Sequence, residues 1–239
     1  MTRITVINPN TSADLTDAIT AAAQRVSGIG VTVTGVQPSF GVPSVESHAE
    51  EAIAAVGVLE QVRAHQDHTD AYVVACFGDT GVSAAREVAT CPVVGMTEAA
   101  LQTACLVAHR FVVVTLPPRT IAHSDRVIGA LGLAHRCTVT AVDVPVADLV
   151  DGSAHLLDAF ASAARTAIST DGAEAVVLGC AGLAELVDPL SRELGVPVVD
   201  GVAAAVGIAA GLVAMALNTS RANTFEAVPD LLAWRLERP

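Results

Sequence analysis

Short runs rich in Val, Ile and Ala recur along the chain, each closed by turn-forming residues and each separated from the next by a stretch with helical spacing. The runs are 4–7, 31–36, 71–76, 92–94, 111–115, 138–142, 175–180 and 197–199. Strand signals alternating with helical ones predict an α/β protein, a parallel sheet with helices on its faces. In the stretch 12–26, Leu15, Ile19, Ala22 and Val26 recur at three- to four-residue steps behind Thr11 and Ser12, both good cap residues. This is the pattern of a surface helix with one apolar face. The uncharged run 201–217 is mostly Ala, Gly and Val and falls short of the roughly 20 strongly apolar residues of a membrane span. It reads as a buried helix, and no membrane association is expected.

The second half of the chain echoes the first. Val33-Thr34-Gly35-Val36 answers Val139-Thr140-Ala141-Val142, and Ala71-Tyr72-Val73-Val74-Ala75-Cys76 answers Ala175-Val176-Val177-Leu178-Gly179-Cys180. Pro92-Val93-Val94 answers Pro197-Val198-Val199, and 4–7 answers 112–115. The offsets are 106, 104, 105 and 108 residues. Any α/β chain offers Val-rich strands that can be slid into coincidence, but four strands recurring in order at nearly one spacing favour a duplicated chain. The expected fold is α/β with two pseudo-symmetric lobes, each a four-stranded parallel sheet flanked by helices.

Composition narrows the chemistry. The 239 residues are 52% hydrophobic and 16% charged, enough apolar material for a packed core, so the chain is not expected to be disordered. All 13 basic residues are Arg; without Lys there is neither a Schiff-base lysine nor a P-loop lysine. Net charge is −12 and no Arg cluster interleaved with aromatics occurs, which argues against a nucleic-acid partner. The N-terminal residues lack the apolar stretch of an export signal, so a cytoplasmic location is expected. The Ala/Val-rich helices offer subunit-interface material, and a homo-oligomer is expected. Five Cys, with no C-x-x-C pair, suggest reduced thiols instead of a disulfide framework or zinc site. His65 and His68 form an H-x-x-H without a third ligand in reach and read as a solvated loop, so no metal and no cofactor is expected.

The duplication singles out Cys76 and Cys180. Each ends its lobe's third strand and is followed by Gly and a helical pattern, Cys76-Phe77-Gly78-Asp79-Thr80-Gly81 and Cys180-Ala181-Gly182-Leu183. In open parallel sheets ligands bind beyond the carboxyl ends of the strands. A helix N-terminus beside a thiol is expected to lower its pKa from about 8.5 and make it a base. The same N–H groups suit a carboxylate or a developing oxyanion. Two thiols facing one ligand from opposite sides are what a stereoinversion needs, one removing a proton while the other delivers one. A single Cys at a strand end is more often an inert, buried small hydrophobe, but matched positions in both lobes reverse that reading. Cys91, Cys105 and Cys137 lack this context and read as structural.

Other polar residues are candidates for the same cleft. Asn8, in Asn8-Pro9-Asn10-Thr11-Ser12, reads equally as a ligand contact and as part of a turn and helix cap. Thr115 and Arg119 end the equivalent strand of the second lobe. The segment 39–46 carries bulky apolar residues suited to a side-chain pocket and equally to loop filler. Asp79 reads as a residue holding the Cys76 turn through backbone hydrogen bonds.

The sequence resembles the aspartate/glutamate racemase superfamily, and within it the hydantoin and allantoin racemases. The matching segments are Val6-Ile7-Asn8-Pro9-Asn10-Thr11-Ser12, Ala75-Cys76-Phe77-Gly78-Asp79, Pro92-Val93-Val94-Gly95, Asp171-Gly172-Ala173-Glu174, Val177-Leu178-Gly179-Cys180-Ala181-Gly182, Gly195-Val196-Pro197-Val198 and Thr219-Ser220-Arg221-Ala222-Asn223. The resemblance spans nearly the whole chain. It implies a cofactor-independent racemase with Cys76 and Cys180 as base and acid, acting on a small molecule between the lobes. It implies a first lobe of residues 1–97 plus 205–239 and a second of 98–204. Backbone N–H groups near the two cysteines would hold the ligand, which points to Gly78, Asp79, Thr80, Gly81, Ala181 and Gly182. Thr80 departs from the Pro usual in hydantoin racemases. Racemases of free aspartate or glutamate carry Cys-Asn-Thr and Gly-Cys-Thr at the two sites, where this chain has Cys76-Phe77-Gly78 and Gly179-Cys180-Ala181. A hydantoin ring has no free carboxylate, so a less polar site suits it. The expected reaction is racemisation of 5-substituted hydantoins at C5, with allantoin as the nearest alternative substrate. Arylmalonate decarboxylases keep only the second cysteine and are disfavoured; a maleate isomerase-like enzyme and a non-catalytic two-lobed binding protein remain further alternatives.

Overall fold

Strands that are apolar on both faces must be covered on both sides, and the eight runs meet that demand as two sheets. The computed structural model describes residues 1–144, 146 and 154–227. Strands β1 (Thr2–Ile7), β2 (Val31–Val36), β3 (Ala71–Val74) and β4 (Val93–Gly95) form the first sheet in the order β2-β1-β3-β4. Strands β5 (Phe111–Thr115), β6 (Cys137–Ala141), β7 (Ala175–Leu178) and β8 (Val198–Asp200) form the second in the order β6-β5-β7-β8. All six pairings are parallel. The two sheets therefore share one topology, as the expected duplication requires.

Helices cover both faces. In the first half α1 (Ala13–Val26) lies on one face of its sheet, and α2 (His48–His65) and α3 (Val82–Val88) on the other. In the second half α5 (Ile121–Ala130) answers α1, and α6 (Ala154–Asp171) and α7 (Val187–Leu194) answer α2 and α3. The remaining two helices exchange sheets. Helix α4 (Met96–Val107) leaves β4 of the first sheet, yet its Ala100, Leu101 and Ala104 pack with Phe111, Val113 and Val177 of the second. Helix α8 (Gly201–Ala214) leaves β8 of the second sheet, and its Val202, Ala205, Val206 and Ala209 pack with Ile4, Val6, Val73 and Val94 of the first. Of the run 201–217, residues Gly201–Ala214 form the expected helix, but it is buried on one side only, and 215–217 are exposed beyond its end. Among the described residues no helix is long and apolar enough to cross a membrane. The tail 228–239 of the expected first lobe lies outside the described residues.

Two of the repeat offsets need correcting. Ile4 pairs with both Val33 and Ala71, whereas Phe111 pairs with both Cys137 and Ala175. The first strands are thus related by 107 residues and the second strands by 104, instead of 108 and 106. β1 and β5 are buried on both faces where they pair with β3 and β7, so a slip of one residue leaves no mark, and β2 and β6 alternate Val with Thr, so a slip of two residues keeps their alternation. The correction brings Asn8 and Thr115 to equivalent places at the ends of the central strands.

Local signals placed the helix ends well. Ser12 caps α1, its hydroxyl accepting the N–H of Leu15 at 3.3 Å. Ile19, on the inner face of α1, is 1% exposed in the core between α1, α8 and the first sheet. Ile19→Ala is expected to lower the unfolding free energy by about 2–5 kcal/mol, measured by urea denaturation. A change within experimental error would contradict this packing.

Candidate functional site

Strands β3 and β7 each end two residues before a cysteine. The Ala75 N–H donates to the Ile7 carbonyl and the Gly179 N–H to the Val114 carbonyl, both at 2.8 Å, before the chain turns away from each sheet. Cys76 and Cys180 consequently emerge at matching points beyond their sheets and line one cleft. About 490 Å³ of empty space lies in this cleft, part of it open to solvent. Gly179 is required at its place, because a Cβ there would lie 2.7 Å from the Thr115 Cβ.

The two thiols are built differently. Cys180 is the N-cap of a 3-10 turn, Ala181–Leu186, and the N–H groups of Ala181 and Gly182 turn toward its sulfur. Cys76 opens a loop that reaches α3 only at Val82, and Gly78, Asp79 and Gly81 in that loop all adopt positive φ. Its sulfur instead accepts a hydrogen bond from the Thr80 hydroxyl at 3.4 Å, a bond proline at that place would not provide. The expectation that helix termini lower both thiol pKa values does not hold. Desolvation dominates and pushes Cys76 up to about 12, opposed by the Thr80 hydroxyl and reinforced by negative charge on Cys180, Glu51 and Asp79. Desolvation pushes Cys180 up to about 11, opposed by the Gly182 and Ala181 N–H groups and reinforced by Glu46 and Asp200. Both thiols are protonated at neutral pH in this state, and an ionised Cys180 holds Cys76 neutral, so they titrate as a pair.

The other expected site residues divide into two groups. Asn8, Thr115 and Ala181 line the cleft with the thiols. Asn8 also organises its own turn, its amide donating to Asn10 Oδ1 at 2.8 Å and to Thr16 Oγ1 at 3.0 Å. Gly78, Asp79, Thr80, Gly81, Gly182 and Arg119 stand outside the lining. The Gly78 N–H donates to Thr97 Oγ1 and the Asp79 N–H to the Cys76 carbonyl, so neither amide is free for a ligand. Asp79 caps α4, its carboxylate accepting the N–H groups of Thr97 and Glu98 at 2.8 and 2.9 Å. Desolvation, with Glu98 adding, raises its pKa to about 6 against those hydrogen bonds. Gly81 starts α3, where a Cβ would meet the Ala55 backbone. Arg119 is exposed on the 3-10 turn before α5. Of the 39–46 segment, Val45 reaches the cleft. Further lining residues escaped the sequence reading, among them Leu15, Leu116, Thr120, Ser124 and Val146; for Thr120 and Ser124 the i, i+4 spacing, which puts two hydroxyls on one helical face, was the available signal.

Outside the cleft, Arg126 of α5 pairs with Glu51 of α2 and donates to the Gly78 carbonyl at 2.7 Å, clasping the second half of the chain to the Cys76 loop. His48 and His123 stack beside this pair with ring centroids 4.8 Å apart. Among the described residues, His48, Glu51 and His123 are the group whose ligand atoms come within 4.8 Å of one another, but Arg126 already neutralises Glu51.

A model of the Asp/Glu/hydantoin racemase family matches residues 4–209. A hydantoin racemase from Paenarthrobacter aurescens is 39% identical over 227 residues, covering 94% of this chain and 96% of that one. Among solved structures, the allantoin racemase from Klebsiella pneumoniae is 44% identical with a TM-score of 0.93, covering 96% of this chain and 94% of that one. The allantoin racemase from Pseudomonas fluorescens is 38% identical with a TM-score of 0.92, covering 95% and 97%.

Only the thiolate is alkylated. Iodoacetamide labelling resolved by peptide mass is therefore expected to speed up about tenfold per pH unit between about pH 7 and 9 at both Cys76 and Cys180. Thr80→Val should slow labelling of Cys76 and leave Cys180 as the internal reference. A rate already level at pH 7 would show that the thiols are not held protonated.

Proposed function

The chain belongs to the Asp/Glu/hydantoin racemase family and is an isomerase acting on a small molecule, and we propose that it racemises 5-substituted hydantoins at C5 without a cofactor. The observation that carries this reading is the pair of cysteines at matched strand ends on a single cleft. In the reading, one cysteine enters the cycle as thiolate and takes the C5 proton, and the electron pair moves into the adjacent ring carbonyl as an enolate. The other cysteine, a thiol, delivers its proton to the opposite face of C5. The ring keeps its composition, and the two sulfurs have exchanged roles. Because both thiols start neutral, one proton must leave before the first abstraction.

The lining supports a hydantoin over a free amino acid. Among the described residues it contains Leu15, Val45, Phe77, Leu116 and Val146 beside neutral polar groups, and no Arg or His. A neutral ring needs no cationic partner, while an α-carboxylate buried without one is costly. Allantoin is the second reading, favoured by the two allantoin racemases of similar structure; it carries the same ring with a ureido group at C5. In either case residues 1–97 with 205–239 and residues 98–204 are taken as the two lobes, with the substrate between them. A homo-oligomer in the cytoplasm completes the reading.

Incubation of single enantiomers of a 5-alkyl hydantoin, a 5-aryl hydantoin and allantoin in D₂O tests it. Optical rotation should decay to zero as deuterium enters C5, faster than in enzyme-free controls, and the rates rank the substrates. Cys76→Ser and Cys180→Ser should each lose about 10²–10⁴-fold in kcat. Unchanged turnover in both variants would sink the two-thiol mechanism, and no enzyme-dependent exchange with any of the three would sink the substrate class.

A further inference from the structure

Ser124, on the first turn of α5, is 1% exposed and lines the cleft that holds both thiols. Among the described residues its hydroxyl is the buried side-chain nitrogen or oxygen without a hydrogen-bond partner. The Thr115 and Thr120 hydroxyls, the Asn8 amide and the Asn10 side-chain oxygen, which line the same cleft, have partners within the protein. Thr115 and Thr120 share a hydrogen bond at 2.9 Å, Thr115 also donates to the Gly179 carbonyl, and Asn8 and Asn10 bond each other and the α1 N-terminus.

The duplication shows what Ser124 lacks. Ser12 and Thr120 are the N-caps of α1 and α5, so Thr16 and Ser124 occupy the same place, four residues beyond the cap. Thr16 accepts the Asn8 amide at 3.0 Å and donates to the Ser12 carbonyl at 2.8 Å. At the strand end equivalent to Asn8 the second half has Thr115, whose shorter side chain is turned to Thr120 and Gly179. The local network that closes on Thr16 thus leaves the Ser124 hydroxyl without a partner, on a residue that lines the cavity. A buried hydroxyl without a partner is unfavourable, and such groups in a cleft mark the place where a ligand supplies the missing bond.

We propose that the Ser124 hydroxyl donates to the ring carbonyl that takes up the negative charge when C5 loses its proton. This rests on the hydantoin-ring reading above. The carbonyl oxygen becomes an enolate oxygen and then reverts, so the bond is strongest in the transition state, and Ser124 keeps its proton throughout. Among the described residues no Arg or His lines the cleft, and a neutral hydroxyl is the kind of donor the second half of the chain offers that oxygen.

The experiment compares wild type, Ser124→Ala and Ser124→Thr in the D₂O assay, with kcat and KM separated, alongside thermal unfolding. Ser124→Ala is expected to lose about 10²-fold in kcat with a much smaller change in KM, while its Tm stays equal or rises because an unsatisfied hydroxyl has gone. Ser124→Thr, which keeps the hydroxyl, should recover more activity than Ala. Ser124→Ala with unchanged kcat overturns the proposal, and so does a Tm loss that accompanies the activity loss, which would make the hydroxyl structural. An inactive wild type would overturn the hydantoin-ring reading itself, whereas an active wild type with an equally active Ser124→Ala would overturn this assignment alone.

Discussion

The reciprocal crossing of α4 and α8 is the constraint on which the cleft depends. Each helix is covalently the end of one sheet and energetically part of the other, so neither sheet completes its apolar cover without its counterpart. Where the helices begin they nearly touch: a Cβ on Gly201 would lie 3.0 Å from the Met96 carbonyl oxygen and 2.6 Å from its Cε. A side chain there would push the two helix starts apart. Those starts follow directly on β4 and β8, the neighbours of β3 and β7, which lead to Cys76 and Cys180, so the approach of α4 to α8 bears on the position of both thiols. The Arg126 clasp acts at the other side of the Cys76 loop, through the Gly78 carbonyl.

What the sequence made legible follows from how local each signal is. Strands, the α1 cap and the pairing of Cys76 with Cys180 depend on short segments or on their repetition, and short segments carry their own physics. Register was less legible, because β1 and β5 are buried on both faces and a slip of one residue leaves the apolar run intact. The ligand contacts assigned to the Cys76 loop were the least legible. Gly78 and Asp79 have the residue types of an anion-binding turn, but Thr97, eighteen or more residues away, takes up their hydrogen-bonding capacity. Ser124 was invisible for the complementary reason: its significance is a missing partner, which only the three-dimensional neighbourhood reveals.

The electrostatics of the cleft combine desolvation of the thiols with an anionic surround. Glu46, Glu51, Asp79 and Asp200 all act on one thiol or the other in the direction that disfavours ionisation. The groups acting the other way are neutral: the Thr80 hydroxyl on Cys76, and the Ala181 and Gly182 N–H groups on Cys180. Such a site repels a free carboxylate and keeps both sulfurs protonated until a ligand arrives. A neutral ring whose charge appears only during the reaction avoids the first penalty. The second is reduced when polar groups of a ligand face each sulfur, because a thiolate gains more than a thiol from each donor it faces.

The asymmetry between the two halves then acquires a chemical meaning. A racemase must serve both enantiomers, so its two proton-transfer groups need comparable strength, yet the ring they flank is not symmetric. In this chain the support of the sulfurs differs in kind, a hydroxyl for Cys76 and two backbone N–H groups for Cys180, while desolvation brings them to similar values, about 12 and about 11. On the proposed reaction, the duplication offers two matched strand ends for an acid and a base, and the differences beyond them, Asn8 against Thr115 and Thr16 against Ser124, offer the unmatched surface that an asymmetric ring requires.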